Sequence, residues 1–170
     1  MNNTRIRGYK YRAYPNKTQQ ALLARIFGCV RFVFNYYLAW RSSQWKTNQI
    51  STNYTMTANH MSQILKKENP WLYEADSSAL QQSLRHLDNA FQNFFQKRSH
   101  YPKFKKKFGK QSYRTMCNNN NIRIEGNRIK LPKVGWVKIS NSRNFDGIIK
   151  SATISKTPSG KYFISLQVEE

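Results

Sequence analysis

The chain of 170 residues carries 29 Lys+Arg against 8 Asp+Glu, a net charge of +21 and a pI near 10.3. Such a surplus opposes compaction by self-repulsion and is relieved by polyanions through counterion release, the electrostatic footprint of a nucleic-acid binder. With 39% apolar and 14% aromatic residues the chain can bury a core, so disorder is not the default. No apolar run approaches the roughly 20 residues that span a bilayer, no lipidated or amphipathic anchor accompanies the charge, and Met1-Asn2-Asn3-Thr4-Arg5 does not open a signal peptide. A cytoplasmic protein without a membrane partner is expected.

Residues 4–12 interleave Ile6, Gly8, Tyr9 and Tyr11 with Arg5, Arg7, Lys10 and Arg12, a period of two that predicts a strand. Tyr14-Pro15 ends it. Asn16 and Gln19 then form a capping pair for a helix to about Arg41, with Leu22, Leu23, Ile26, Phe27, Val30, Val33, Phe34, Tyr37 and Leu38 on one broad apolar face. Residues 43–55 are polar and read as a loop. A short helix over Ala58–Lys67 must stop before Asn69-Pro70. Asp76 caps the next helix, whose Leu80, Leu84, Leu87, Phe91 and Phe94 step by the helical period.

From Lys97 to Arg114 the composition changes to eight cations without a carboxylate, interleaved with Tyr101, Phe104, Phe108 and Tyr113. Aromatics among cations favour a binding surface over a solvated linker. After Asn118-Asn119-Asn120-Asn121 the period returns to two, with strands at 122–125, 128–131, 134–140, 147–156 and 161–169 and a hairpin signal at Gly126-Asn127. The strand at 4–12 has no neighbour in sequence and should pair with these. The helices are then an insertion into a β-domain.

Little here suggests chemistry. Metal-assisted phosphodiester cleavage needs clustered carboxylates, and the eight acidic residues fall into no motif. His60, His86 and His100 lack partners at ligand spacing, and Cys29 and Cys117 read as small buried hydrophobes. No phosphate-binding GxxxxGK[ST] loop or GxSxG elbow occurs.

Several stretches together resemble the start of the TnpB/OrfB proteins of bacterial insertion sequences. They are Tyr9-Lys10-Tyr11-Arg12-Ala13-Tyr14-Pro15, Phe27-Gly28-Cys29-Val30-Arg31-Phe32-Val33-Phe34-Asn35, and Asp76 to Leu84 with Phe94-Phe95 following. Tyr101-Pro102-Lys103-Phe104-Lys105, Gln111-Ser112-Tyr113 and the run Asn118–Pro132 through Gly135-Trp136-Val137-Lys138 continue the match over nearly the whole chain. The resemblance implies an RNA-guided DNA endonuclease related to type V CRISPR effectors. The N-terminal part of such proteins is a β-barrel wedge domain interrupted by a helical recognition domain. Together these grip a guide RNA made from the element's end and read a target-adjacent DNA motif.

The expected architecture is therefore α+β: a small wedge-like β-barrel from 1–15 plus 112–170, a helical recognition domain over 16–98 and a basic connector over 99–111. The family's RuvC-like nuclease and zinc element would begin beyond Glu170. The chain is thus expected to bind without a catalytic centre or cofactor of its own, any nuclease coming from a separate chain, and to belong with transposition and DNA recombination. The alternative is a DNA-binding repressor or RNA-binding protein derived from a decayed element.

Carried over by position, the resemblance implies target-adjacent DNA contacts at Tyr54, Ser77 (where some members carry lysine), Gln81, Asn118 and Asn119. RNA contacts are spread over the basic stretches, for which Lys103, Lys105, Lys106, Lys107, Lys110 and Arg114 are the candidates. On helical geometry Ser77, Gln81, Arg85, Asp88 and Gln92 line one flank beside the apolar face. Gln81 there either pairs with an adenine edge or is an ordinary surface helix former. Arg31 and Asn35, one turn apart beside Gly28, either hold an RNA backbone or cap a packing contact.

Overall fold

The computed structural model describes residues 3–141 and 143–170. Its chain forms two compact units, one from the chain up to Phe27 together with Phe108–Glu170, the other from Gly28–Lys107.

The first unit is built on an antiparallel sheet of seven strands: β1 Ile6–Tyr14, β2 Gln111–Met116, β3 Arg123–Glu125, β4 Arg128–Leu131, β5 Gly135–Ile139, β6 Ile148–Lys156 and β7 Tyr162–Glu169, in the order β2-β6-β7-β1-β5-β4-β3. The isolated N-terminal strand pairs as expected, with β7 from Ile6↔Glu169 to Ala13↔Tyr162. Its last two residues also pair with β5, at Ala13↔Ile139 and Tyr14↔Lys138. Those two pairs join the β2-β6-β7-β1 ribbon to the β5-β4-β3 meander.

Alternation puts Tyr9, Tyr11 and Ala13 of β1 and Tyr162, Ile164, Leu166 and Val168 of β7 in the core, as the period of two requires. Leu23, Ile26 and Phe27, from the start of the first helix, belong to the same unit, and the Phe27 ring lies 5.6 Å from that of Tyr113. Gly126-Asn127 makes the two-residue hairpin between β3 and β4. Gly126 takes φ +62 in the first loop position, which is the demand of a type II′ turn.

Two expectations are corrected. The sheet is open rather than a closed barrel: closure needs the edge strands β2 and β3 to pair, and no ladder joins them among the described residues. β3 has only three residues with which to make one. The sheet also holds a strand that was not expected, β2 at the end of the basic stretch, whose Tyr113 and Thr115 are buried while Ser112 is exposed.

Helix α1, Lys17–Asn48, begins in the first unit and continues into the second. Its start is the reciprocal box read from sequence: Gln19 N–H donates to Asn16 Oδ1 at 2.8 Å and Asn16 N–H to Gln19 Oε1 at 3.0 Å. It is long and apolar enough, by length and composition, to cross a bilayer, contrary to the reading of its sequence; half of its most apolar stretch is buried within the fold, as in a core helix.

In the second unit Val33, Phe34, Tyr37 and Leu38 of α1 join a core with Met61, Leu65, Leu72, Leu80, Leu84, Leu87 and Phe91. Helix α2, Tyr54–His60, starts inside the expected loop and runs through a π turn, Met61–Leu65, into α3, Lys66–Glu68. Helix α4, Ser77–Phe95, is capped by Asp76, whose Oδ2 accepts from Ala79 N–H at 3.1 Å. Arg41 is buried between Asp88, 2.9 Å away, Thr52 and the Phe91 ring, its Cζ 4.3 Å from the centroid.

Candidate nucleic-acid interface

On α4, Ser77, Gln81 and Arg85 follow one another at four-residue intervals and all three are exposed. Asn53 caps α2 by accepting from Met56 N–H at 3.0 Å, and Thr57 donates back to the Tyr54 carbonyl at 2.7 Å. The anchored first turn lays the Tyr54 ring under Arg85, whose Cζ is 4.0 Å from the ring centroid. Stacked this way, the guanidinium keeps its edge for hydrogen bonding while its face is occupied. The fold thus gathers Tyr54, Gln81 and Ser77 into one strip and adds Arg85, which only the flank geometry of the helix had indicated. Asp88, one turn on, is committed to Arg41 and to Gln92, 2.8 Å away.

The basic segment is exposed at Lys103, Lys105, Lys106, Lys107 and Lys110, the last belonging to the first unit. Lys105 is the exception in its chemistry. Its backbone is clasped by the Asn35 amide, which donates to the Lys105 carbonyl at 2.9 Å and accepts from its N–H at 2.7 Å. Its ammonium lies 4.5 Å from the Phe34 ring centroid, and this withdrawal from water lowers its pKa. Asn35 therefore spends both ends of its amide on a packing contact. Arg31 is half-buried, its guanidinium folded over Gly28.

In the first unit Asn118 and Asn119 are exposed in a turn that Asn121 closes by accepting from Asn118 N–H at 2.9 Å. Asn119 and Asn120 take φ of 52° and 59°, a conformation that asparagine tolerates. Asn119, but not Asn118, lines a cleft of about 700 Å³ with Asn120, Arg123, Asn141, Arg143 and Phe145. Of these only the asparagine run stood out in the sequence; Asn141 and Arg143 come from an irregular loop with no periodic signal. Arg114 is held on the sheet surface, donating to Gln167 at 2.7 Å and to Ser151 at 3.2 Å.

Among the described residues no group of three or more His, Cys, Asp or Glu could hold a metal ion. Most carboxylates have local work: Asp76 caps α4, Glu169 pairs with Lys150 at 2.9 Å, and Glu170 binds the Tyr9 hydroxyl and faces Arg7 at 3.6 Å. Cys29 is buried with its thiol on the Trp71 carbonyl and Cys117 is half-buried with its thiol on the Ile122 carbonyl; neither is in a disulfide.

Residues 1–49 match a family model described as the helix-turn-helix domain of IS605 OrfB. Over the described part of that range the structure is β1 followed by the single helix α1, so the two crossed helices of that description are not formed there. Over 97% of its length the chain is 34% identical to an Escherichia coli (strain K12) protein named "Putative RNA-guided DNA endonuclease InsQ". A Streptomyces pristinaespiralis protein of the same description is 33% identical over 96% of the chain. The chain spans only 41% and 42% of the length of these two relatives. It is also 32% identical to "Virulence protein VsdF" of Salmonella dublin, over 62% of the chain and 97% of that relative. The chain belongs to the TnpB/OrfB family of insertion-sequence proteins.

Proposed function

We propose that the chain is the nucleic-acid-gripping part of a transposon-encoded RNA-guided DNA endonuclease, holding a guide RNA from the element's end and reading a short DNA motif beside the target. The observation that carries this reading is the exposed strip of Ser77, Gln81 and Arg85 on α4 with Tyr54 stacked against it. Glutamine matches adenine N6 and N7 and arginine matches guanine O6 and N7, so the strip holds the two side-chain types best suited to a major-groove edge. Asn118 and Asn119 supply the second set of DNA contacts. Lys103, Lys106, Lys107 and Lys110 hold RNA phosphates, with Arg31, Lys105 and Arg114 at the margin and Asn35 setting the backbone of Lys105.

Binding of this kind requires no cofactor. Strand cleavage falls to another stretch of polypeptide, in a longer protein or a separate nuclease chain, because Asp76, Asp88, Glu169 and Glu170 are committed to caps and ion pairs and no group of three or more His, Cys, Asp or Glu among the described residues could hold a metal ion. On this reading the protein works in the bacterial cytoplasm at the nucleoid, in transposition and DNA recombination, away from membranes.

The test is to purify the chain with its RNA, sequence that RNA, and measure binding of wild type and Gln81→Ala to a library of target-adjacent duplexes. Loss of about 1–3 kcal/mol at one base pair, with mismatched duplexes unaffected, is expected. A uniform loss would make Gln81 a phosphate ligand, and no loss would leave it a surface glutamine. A second reading, a stand-alone repressor or RNA-binding protein, is favoured by the Salmonella relative, which the chain spans almost completely. It requires sequence-selective binding without guide RNA.

A further inference from the structure

We propose that the aromatic hollow between the end of α1 and the end of α4 is a stacking site for an unpaired nucleobase of a single-stranded nucleic acid. The site is separate from the Tyr54–Arg85 strip and rests on the nucleic-acid reading above. Trp45, Phe94, Phe95 and Tyr101 line a hollow of about 300 Å³, floored by Phe91 and Arg41. That volume is at the small end of ligand clefts and suits a single planar ring system.

Phe95 is 69% exposed and Trp45 55% exposed, although burial of either ring would be strongly favourable and α4 has an apolar core face one turn away. Three of the four wall rings, Phe94, Phe95 and Tyr101, are held in place. Tyr101 meets Phe91 and Phe94 edge-on, with centroids 5.5 and 5.2 Å apart, and its hydroxyl bonds to Ser42. Phe94 and Phe95 are tilted together at 5.5 Å.

Charge decides the occupant. Phe94 and Tyr101 also line an adjoining hollow that contains Lys97 and Arg98, and Tyr101 lines a third that contains Lys46. Among the described residues lining the three, none is acidic. A fixed apolar ring wall edged by cations is the arrangement that stacks a base and tracks its phosphates. A protein partner with an apolar side chain would gain nothing from the cationic rim.

The probes are two single-stranded oligonucleotides of equal length, one bearing bases and one abasic throughout. They are measured at one salt concentration against the full chain and against Phe95→Leu and Trp45→Leu, which keep apolar bulk. Each variant should bind the base-bearing strand roughly 5- to 150-fold more weakly, the effect of removing one base–aromatic stack. Affinity for the abasic strand should stay at the wild-type value. Equal losses on both strands, or no loss on either, would overturn the stacking site while leaving nucleic-acid binding intact. If wild type binds neither strand, the nucleic-acid reading fails and the stacking site with it. Phe95→Ser guards against a protein interface: if it abolishes self-association in sedimentation and leaves strand affinity unchanged, the hollow is a subunit surface and the proposal is wrong.

Discussion

Tyr37 shows how one residue ties the core to pH. Its ring is fully buried and its hydroxyl lies 2.8 Å from His60 Nδ1. Burial, with smaller contributions from Tyr36 and Glu68, raises the phenol pKa well above its ordinary 10.0. In the alkaline range the native state therefore holds a proton that the unfolded state releases. The stabilisation is complete below the unfolded value near 10 and is lost as pH climbs above it. Tyr37→Phe removes the hydrogen bond at about 1 kcal/mol near neutral pH but also removes the ionisation. The stability gap between wild type and variant, measured by denaturant unfolding, should narrow between about pH 8 and about pH 11. A gap that stays constant would mean that Tyr37 ionises as easily folded as unfolded. Lys105 offers a second check: its lowered pKa should move the pH profile of its acylation, followed by peptide mass spectrometry, below the ordinary lysine value of about 10.4. A profile centred at that value would contradict the withdrawal over Phe34.

At the scale of elements, α4 shows what a sequence discloses well. Asp76, the four- and three-residue steps from Leu80 to Phe91, and the absence of proline or glycine define both its start and its buried face. Asp76→Ala should cost about 1 kcal/mol, since it strips the acceptor from Ala79 N–H. A thermal scan showing no destabilisation would return α4's stability to its packing alone. Other elements were less legible for physical reasons. The last turns of α1, Ser42 to Asn48, lack an apolar stripe, so periodicity loses the helix while its backbone continues. The π turn at Met61–Leu65 changes the helical period itself. β2 alternates correctly but is hidden in a run of cations. Closure of the sheet depends on whether its edge strands meet, and strand count and spacing do not encode that. The strip on α4 was half visible: helical spacing aligns Ser77, Gln81 and Arg85, but the stacking of Tyr54, 31 positions earlier in sequence than Arg85, is a tertiary fact.

The whole molecule is governed by its charge of +21, which any polyanion partner must help to neutralise. If the exposed basic segment grips phosphates, every phosphate it releases on single-stranded RNA flattens the slope of log affinity against log salt by roughly 0.7. Replacing Lys103, Lys106 and Lys107 together by Gln should then flatten it by roughly 2, with little change in fold because all three are exposed. Lys105→Gln alone should flatten it less than any of those three singly, because its ammonium is drawn over Phe34 and its backbone is clasped by Asn35. This ordering separates a positioned binding segment from diffuse attraction. A cloud of charge would give the same small change for every lysine, and a solvated linker would give none. Titrations of wild type, the four single variants and the triple variant at several salt concentrations decide among these. A Lys105→Gln slope as flat as that of the triple variant would reverse the assignment, placing the phosphate on the lysine drawn over Phe34.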